Sequence, residues 1–230
     1  MDVDRLIDEA WPALDRVPLG PWTLRHSLGV TKRANSVLVT GLPADLSRAV
    51  DVAEKFYAGH GLPGVFSLGT DAPAEVDSFL EARGYRLVDP TLVMVAAPAP
   101  VGSAAHEVRI EDHPWPAWLD TWAAVEGRDP EVAGQICAGV PAWYAAVEED
   151  GVPLAVGRGV PQGDTLGIYC MATRPSARRR GLARSVLRAL VRQAGSASAY
   201  LVVTEGNGAA RSFYRAEGFE QHGAYHYRVA

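Results

Sequence analysis

Residues 169–183 read YCMATRPSARRRGLA, and this stretch decides the fold. A strand pattern runs up to Pro175, which limits how far the strand continues, and a helical pattern begins near Arg179. Gly181 and Ala183 keep the first helical turn free of bulk. Its main-chain N–H groups are therefore open to an anion, which the positive end of the helix dipole also favours.

Arginines add charge to this turn. Three successive guanidinium groups supply hydrogen-bond donors that suit phosphate; they are Arg178, Arg179 and Arg180. The alternative is a solvated basic face, because a stripe of arginines at i, i+4 spacing runs along the helix: Arg180, Arg184, Arg188 and Arg192. The strand, the turn and the small residues together favour a phosphate-binding turn over the solvated face.

The chain also carries an internal repeat. Residues 78–96 read SFLEARGYRLVDPTLVMVA and residues 212–230 read SFYRAEGFEQHGAYHYRVA, and they align without a gap at an offset of 134. Each predicts the end of a helix, a glycine stop and a strand. Supporting helices and strands precede both in the same order, which favours two copies of one α/β unit. The alternative is a chance likeness, because such junctions are common in α/β proteins.

Composition narrows the classes of protein. The 230 residues are 48% hydrophobic with a net charge of −5, which indicates a sizeable core and argues against a general nucleic-acid binder. Two cysteines form neither a disulfide framework nor a zinc-finger spacing. No apolar run approaches the roughly 20 residues of a membrane span, and no signal-peptide core follows the acidic N-terminus. We expect a cytoplasmic protein that binds no membrane, nucleic acid or metal.

Strands alternate with helices along the whole chain, which predicts an α/β fold. A segment rich in Ala, Pro, Gly and Ser covers Ala97–Ala105 and is the best candidate for a linker. We therefore predict two domains, residues 1–100 and residues 101–230.

The turn at Arg178–Ala183 resembles the acetyl-CoA-binding signature of the GNAT superfamily of N-acetyltransferases, Gln/Arg-x-x-Gly-x-Gly/Ala. A second block, Asn207–Tyr214 followed by Gly218 and Phe219, resembles the family's Asn-x-x-Ala-x-x-Phe-Tyr…Gly-Phe pattern. The resemblance covers about Glu107 to Ala230. It implies a mixed, mostly antiparallel sheet flanked by helices in each half, acetyl-CoA as cosubstrate, and acyl transfer to an amine without a metal.

The resemblance also implies roles for residues. The main chain of Met171, Ala172 and Thr173 would bind the pantetheine arm, and a backbone N–H near Met171 would stabilise the oxyanion. The pyrophosphate would lie on six residues: Arg178, Arg179, Arg180, Gly181, Leu182 and Ala183. Asn207 would cap its helix and contact the pantetheine arm or the acyl end, and Tyr214 would protonate the leaving thiolate. The alternatives are a plain N-cap and a core aromatic ring.

Neither the sequence nor the resemblance identifies the base that accepts the amine proton. Four carboxylates are positional candidates, and each also fits a surface position: Glu205, Glu126, Asp129 and Glu148. Cys170 lies in an apolar strand pattern, so core packing is favoured over a thiol intermediate. We expect a small-molecule amine or amino acid as acceptor. A protein or antibiotic acceptor and a non-catalytic acyl-CoA sensor or scaffold are alternatives, and the chain is expected to be a monomer, as a pseudo-dimer, or a homodimer.

The first half lacks the phosphate turn, because residues 40–45 read TGLPAD before their predicted helix. We therefore expect a degenerate copy that does not bind CoA and that helps to shape the acceptor pocket. Segments at Trp22–Arg25 and Thr31–Ser36 resemble a group of tandem acetyltransferases, some linked to glutamate acetylation. That resemblance implies contacts to an acidic acceptor from Arg25, Arg33 and Asn35, and the alternative is a basic surface hairpin.

Overall fold

The computed structural model describes residues 3–99, 102–127, 134, 135, 137 and 139–230. These residues form two compact units that interleave along the chain. The first contains the described residues of Met1–Val93 with Thr204–Asn207 and Gly223–Ala230, and the second contains those of Met94–Val203 with Gly208–His222. Strands β5 (Arg86–Ala96) and β11 (Glu220–Val229) therefore contribute residues to both units. The domain boundary predicted between residues 100 and 101 lies outside the described residues.

The strands of the first unit form a mixed sheet in the order β1-β2-β3-β4-β11. The first four are β1 (Asp15–Leu19), β2 (Trp22–His26), β3 (Val37–Val39) and β4 (Val65–Leu68). Strands β3 and β4 run parallel, and the other neighbouring pairs are antiparallel. The sequence predicts β2, β3 and β4 but not β1. This strand is mostly exposed, so it lacks the buried apolar residues that make a strand visible in a sequence.

Three helices belong to this unit: α1 (Val3–Ala10), α2 (Leu46–Gly59) and α3 (Ala74–Ala82). Helix α2 connects the parallel strands β3 and β4. Its apolar residues, among them the fully buried Tyr57, join a core with the sheet. At the centre of this core Phe66 meets Trp22 and Tyr85 edge to face, with ring centroids 5.7 and 5.4 Å away.

The second unit repeats this plan with the strand order β10-β9-β8-β7-β6. The strands are β6 (Arg109–Glu111), β7 (Trp143–Glu149), β8 (Val152–Gln162), β9 (Thr165–Thr173) and β10 (Ser198–Thr204). Strands β9 and β10 run parallel, and the other pairs are antiparallel. The unit's helices are α4 (Pro116–Glu126), α5 (Leu182–Ala194) and α6 (Gly208–Ala216). Helix α5 connects β9 to β10, as α2 connects β3 to β4.

The predicted repeat is visible in the local geometry of its two copies. Helices α3 and α6 are followed by glycines in the left-handed region, Gly84 at φ 92° and Gly218 at φ 88°. The N–H of Tyr85 donates to the Leu80 carbonyl, and the N–H of Phe219 donates to the Tyr214 carbonyl, both over 3.0 Å. The strand order and the helices described above confirm the predicted α/β fold, with a mixed sheet flanked by helices.

Candidate functional site

The turn from β9 to α5 is shaped by the main chain. After β9 ends, Pro175–Ala177 forms a 3-10 turn, and the chain then passes through the left-handed region at Arg179 (φ 64°) and Gly181 (φ 80°). Gly181 is the N-cap residue of α5, and among the described residues no side chain caps this helix start. The helix begins at Leu182, three residues after the predicted start. The N–H groups of its first turn therefore point out of the helix, where they attract an anion.

Several hydrogen bonds hold this turn in place. The main-chain N–H of Arg174 donates to the Leu154 carbonyl over 2.9 Å. The Arg174 guanidinium donates to the Pro153 carbonyl and to Thr121 Oγ1 over 2.9 and 2.8 Å. His106 Nε2 lies 3.0 Å from the Arg180 carbonyl oxygen. The turn is thus preorganised by its own unit, without a ligand.

The arginines near the turn divide into two groups. Arg184 and Arg188 pair with Glu217 at N–O distances of 2.5 and 2.9 Å, and only 1% of the Glu217 side chain is exposed. Half of the predicted stripe is therefore not a simple solvated face, because two of its four members hold a buried carboxylate. Arg180 pairs instead with the exposed Glu149. Arg178 donates to the Thr173 carbonyl over 3.3 Å, so positive charge lines the turn itself.

The edge of β9 next to this turn is only partly covered by β10. The parallel ladder runs from Thr165–Ser198 to Ile168–Leu201 and ends there. The ladder from β9 to β8 continues as far as Thr173. Main-chain groups of residues 171–173 therefore lie beyond the last β10 pair, at the end of β9 that leads into the α5 turn. A strand edge of this kind can accept a ligand that extends the sheet by hydrogen bonding.

A β-bulge between β8 and β9 lies just beyond the end of the ladder from β9 to β10. Val156 pairs with Ala172 and Arg158 pairs with Tyr169, so Gly157 alone lies opposite two residues of β9. Within the bulge Cys170 adopts φ 54°, in the left-handed region. A Cβ on Gly157 would lie 2.5 Å from Met171 Sδ and 2.7 Å from Val186 Cγ1, so only glycine fits. This bulge was not predicted from the sequence, although a glycine inside a strand pattern, here Gly157, is a known signal for one.

Tyr214 lies on α6 and is buried, 8% exposed, between Phe213 and Phe219. Burial raises the pKa of its hydroxyl above the usual value, so the hydroxyl stays protonated at neutral pH. The predicted role as proton donor and the alternative as a core aromatic ring both fit this position.

The other predicted residues of the C-terminal half lie as follows. Asn207 is exposed, directly precedes α6, and donates its main-chain N–H to the Thr204 carbonyl over 3.0 Å. Among the candidate bases, Glu126 and Glu205 are exposed, and Glu148 is half-buried 3.8 Å from Arg109. Asp129 lies outside the described residues. These positions single out no base.

The three residues that the resemblance connects with an acidic acceptor lie in the first unit. Arg25 is 2% exposed, pairs with Asp8 over 2.8 Å, and donates to Ser36. Burial alone would raise the pKa of Asp8, but hydrogen bonds and positive charge from Arg16 and Arg25 hold it below the usual value. Asn35 joins the loop around Ser27 through buried hydrogen bonds.

Arg33 differs from these two. Its guanidinium lies 3.5 Å from the Tyr225 hydroxyl and 5.7 Å from the centroid of the Trp11 ring, and it lines a small cavity. Arg25 and Asn35 thus connect parts of the first unit, and Arg33 lines the small cavity together with Arg25.

The described residues contain neither a candidate metal cluster nor a helix that fits a membrane span. Across the part of the chain that the structure describes, no cluster of three His, Cys, Asp or Glu side chains could hold a metal ion. None of the helices described here combines the length and the apolarity that crossing a bilayer requires.

The chain is similar in sequence to known N-acetyltransferases. A family model described as "Probable histone acetyltransferase Rv0428c C-terminal" matches residues 3–228. The chain is 28% identical over 241 residues to the uncharacterized N-acetyltransferase YobR of Bacillus subtilis (strain 168), covering 99% of this chain and 97% of the relative.

Solved structures share the fold. A GCN5-related N-acetyltransferase from Kribbella flavida superimposes with a TM-score of 0.73 at 18% identity, covering 99% of this chain and 95% of the other. A tandem GNAT protein from the clavulanic acid biosynthesis pathway superimposes with a TM-score of 0.65 at 12% identity, covering 100% and 87%. The family match spans nearly the whole chain, and the chain therefore belongs to this family of GNAT-type N-acetyltransferases, which are acyltransferases.

Proposed function

We propose that the second unit binds acetyl-CoA and transfers its acetyl group to the primary amine of a small molecule or amino acid. One observation carries the proposal. A helix start without a side-chain cap lies at the end of a strand whose edge beyond Ile168 the neighbouring strand leaves open. The first feature suits a pyrophosphate, and the second suits an amide-containing arm attached to it.

The pyrophosphate would lie against the first turn of α5. The N–H groups of Leu182 and Ala183 would donate to its oxygens, with Gly181 leaving room for close approach. Charge from Arg178, Arg179 and Arg180 would add to these donors. Arg180 pairs with Glu149 at an exposed position, and exposed ion pairs contribute only about 0–1 kcal/mol. Exchanging that carboxylate for a phosphate therefore costs little.

The acyl end would lie along residues 171–173 of β9. The bulge at Cys170 turns the main chain of this segment away from a regular ladder. A main-chain N–H at Met171 would donate to the thioester carbonyl oxygen and stabilise the negative charge that develops on it during attack. Because this donor is part of a hydrogen-bonded sheet, it needs no reorganisation as the charge develops.

Tyr214 would act on the leaving group. A thiol such as that of CoA has an ordinary pKa of about 8.5, so the sulfur leaves as an anion that a proton donor stabilises. The buried Tyr214 hydroxyl remains protonated at neutral pH and can supply that proton. The raised pKa makes it a weaker acid, so its main contribution is a strong hydrogen bond to the developing thiolate, with proton transfer at the end of bond cleavage.

The attacking amine must be neutral. An α-amine has a pKa of about 7.7–8.0, and a lysine-type amine has one of about 10.4. An appreciable fraction of an α-amine is therefore neutral near pH 7 without a protein base. That pKa is the one of a peptide's terminal amine; a free amino acid or a lysine-type amine is mostly protonated near pH 7, so its acetylation needs a base or a water relay.

A thiol-release assay tests the activity. Acetyl-CoA should release CoA with at least one member of a panel of amino acids, polyamines, aminoglycosides and peptides. Acetyl-CoA binding without turnover across the panel would instead support the sensor or scaffold, and turnover on peptides or aminoglycosides alone would move the acceptor to those classes.

A pair of charge reversals tests the site. Arg180→Glu should weaken acetyl-CoA binding by about 10- to 100-fold, because it removes a charge-assisted hydrogen bond and adds repulsion. Arg192→Glu is the matched control, because Arg192 is exposed in the last turn of the same helix. It should leave binding unchanged in calorimetry. Equal affinities for the two variants would place the pyrophosphate elsewhere.

A further inference from the structure

Two cysteines face each other beside the β9 bulge. Cys137 Sγ and Cys170 Sγ lie 3.9 Å apart, and both are thiols. Cys137 is fully buried, whereas Cys170 is half-buried and therefore within reach of a small solute. The pair is 33 residues apart along the chain, so the fold and not the sequence brings the two sulfur atoms together.

A buried arginine is connected to this pair through a tyrosine. Arg158 is 1% exposed and donates to the Tyr144 hydroxyl over 3.4 Å. That hydroxyl in turn donates to the main-chain carbonyl of Cys137 over 2.6 Å. These two hydrogen bonds and the contact between the sulfur atoms join all four residues in one cluster. A buried cation in such a cluster favours the thiolate form of a neighbouring cysteine, and the thiolate is the reactive form.

We propose that Cys137 and Cys170 form a modification site for hydrogen peroxide, which converts the pair into a reversible disulfide. The accessible Cys170 thiolate attacks the peroxide oxygen, the O–O bond breaks, and Cys170 becomes a sulfenic acid while hydroxide leaves and is protonated to water. The Cys137 thiol then attacks the Cys170 sulfur, its proton combines with the departing hydroxide, and a second water leaves. Each thiol gives up one electron, and the peroxide is reduced by two.

This disulfide would alter the edge of β9. A disulfide holds its sulfur atoms about 2.05 Å apart, so the two must approach from 3.9 Å. Cys170 lies in the bulge, one residue before Met171, and already occupies a sparsely populated backbone region. Moving it shifts the main chain of residues 171–173. The effect on activity, which rests on the proposed function of this segment, is a loss of about tenfold or more, because small displacements of reacting groups cost large factors in rate.

Mass spectrometry tests the modification itself without reference to activity. The full-length protein is treated with hydrogen peroxide, remaining thiols are blocked with iodoacetamide, and trypsin is added without reductant. Arg158 lies between the two cysteines, so trypsin places them on separate peptides. We expect one linked pair of peptides, two hydrogens lighter than their sum, which dithiothreitol separates. Peroxide that leaves both thiols blockable, or links only different molecules, would overturn the proposal.

Variants sharpen the result. In Cys137→Ser the sulfenic acid on Cys170 should persist and react with dimedone, whereas Cys170→Ser should show neither product; Cys137→Ala is the second choice if the serine unfolds the protein. Persistent dimedone labelling of Cys137 in Cys170→Ser would show that the order of attack is wrong.

Loss of thiol release after peroxide in the wild type but not in Cys137→Ser supports the effect on β9. If the disulfide forms while acetyl-CoA binds and no amine is acetylated, the modification stands and the proposed function fails.

Discussion

The two crossovers of this protein share a plan and differ at one turn. In the first unit the chain passes from β3 into α2, and Asp45 caps that helix by accepting a hydrogen bond from the Arg48 N–H over 2.9 Å. In the second unit the chain passes from β9 into α5, where Gly181 occupies the cap position and no side chain among the described residues takes that role. The first helix start is satisfied by a side chain of the protein, and the second keeps its N–H groups without a side-chain cap, as the proposed pyrophosphate site requires.

The strands that precede these helices show the same contrast. The ladder between β3 and β4 continues to Val39 and Leu68, the last residues of both strands. The offset of 134 that relates the repeats places residues 37–39 at positions 171–173, and there the ladder from β9 to β10 has already ended. The first copy therefore pairs these residues with the parallel strand next to them, whereas in the second copy the ladder to the parallel strand does not reach them. This difference supports the proposal that only the second copy binds acetyl-CoA.

Giving the second turn the first turn's cap is the most damaging change that we expect. In Gly181→Asp the carboxylate would lie beside the first-turn N–H groups and repel the pyrophosphate, so acetyl-CoA affinity should fall about 100-fold in calorimetry. Aspartate tolerates the left-handed region of Gly181 better than most residues. A carboxylate at a helix start stabilises the helix by about 0.3–1 kcal/mol, which offsets part of the backbone cost, so the melting temperature should fall only slightly.

Gly181→Ala is the control for that variant. It imposes a left-handed cost of about 1–2 kcal/mol on the protein but adds no acceptor and no charge. Its acetyl-CoA affinity should fall by less than about tenfold. If alanine weakens binding as much as aspartate does, the backbone conformation and not the open helix start controls the site.

A second contrast concerns the position that Tyr214 occupies. The repeat places Leu80 there in the first unit, and Leu80 is fully buried in its core. Tyr214→Phe should lower kcat about 100-fold with little change in the KM for acetyl-CoA, because it removes the proton donor and keeps the ring. Tyr214→Leu, which restores the residue of the first copy, should lose the same rate. A kcat close to that of the wild type in both would leave the tyrosine a core ring.

The pH dependence of the same residue gives an independent test. Because burial raises the pKa of Tyr214 above the usual value, the folded state keeps the proton when the unfolded chain has lost it. Stability from this group is present below about pH 10, the ordinary tyrosine pKa, and is lost as pH rises above that value. Rates should not decline through ionisation of Tyr214 at assay pH up to about 9. A wild-type decline in kcat near pH 8 that Tyr214→Phe lacks would contradict the raised pKa.

Features that residue types encode locally were predictable from the sequence. Gly84 and Gly218 mark their helix ends because glycine adopts the left-handed cap at little cost. The hairpin at Asp150–Gly151, with φ values of 50° and 75°, follows from the same chemistry. The helix start at Gly181 belongs to this group, since small residues and arginines after a strand are themselves the signal.

Features that depend on contacts distant in sequence were not predictable. The residue type of Cys170 does not predict a positive φ, because the bulge arises where the register of β8 and β9 shifts by one residue. Glu217 gave no sign that it would be buried between two arginines of another helix. The interleaving of the units was also missed, because a repeat in the sequence shows that two copies exist and not which residues each contributes to a core.

Removing the cap in the first unit should have the smallest effect. In Asp45→Ala the N–H of Arg48 loses its acceptor, and the loss of an N-cap costs about 1 kcal/mol of unfolding free energy, which the denaturant midpoint reports. Asp45→Ser keeps an acceptor and should recover most of that stability. Neither variant should change acetyl-CoA affinity, because the ladder from β3 to β4 runs to the strand ends and leaves no main-chain edge beside this helix for the rest of a cofactor. A gain in acetyl-CoA binding in Asp45→Ala would show that the cap alone, and not the closed ladder, keeps the first copy from acting as the second does.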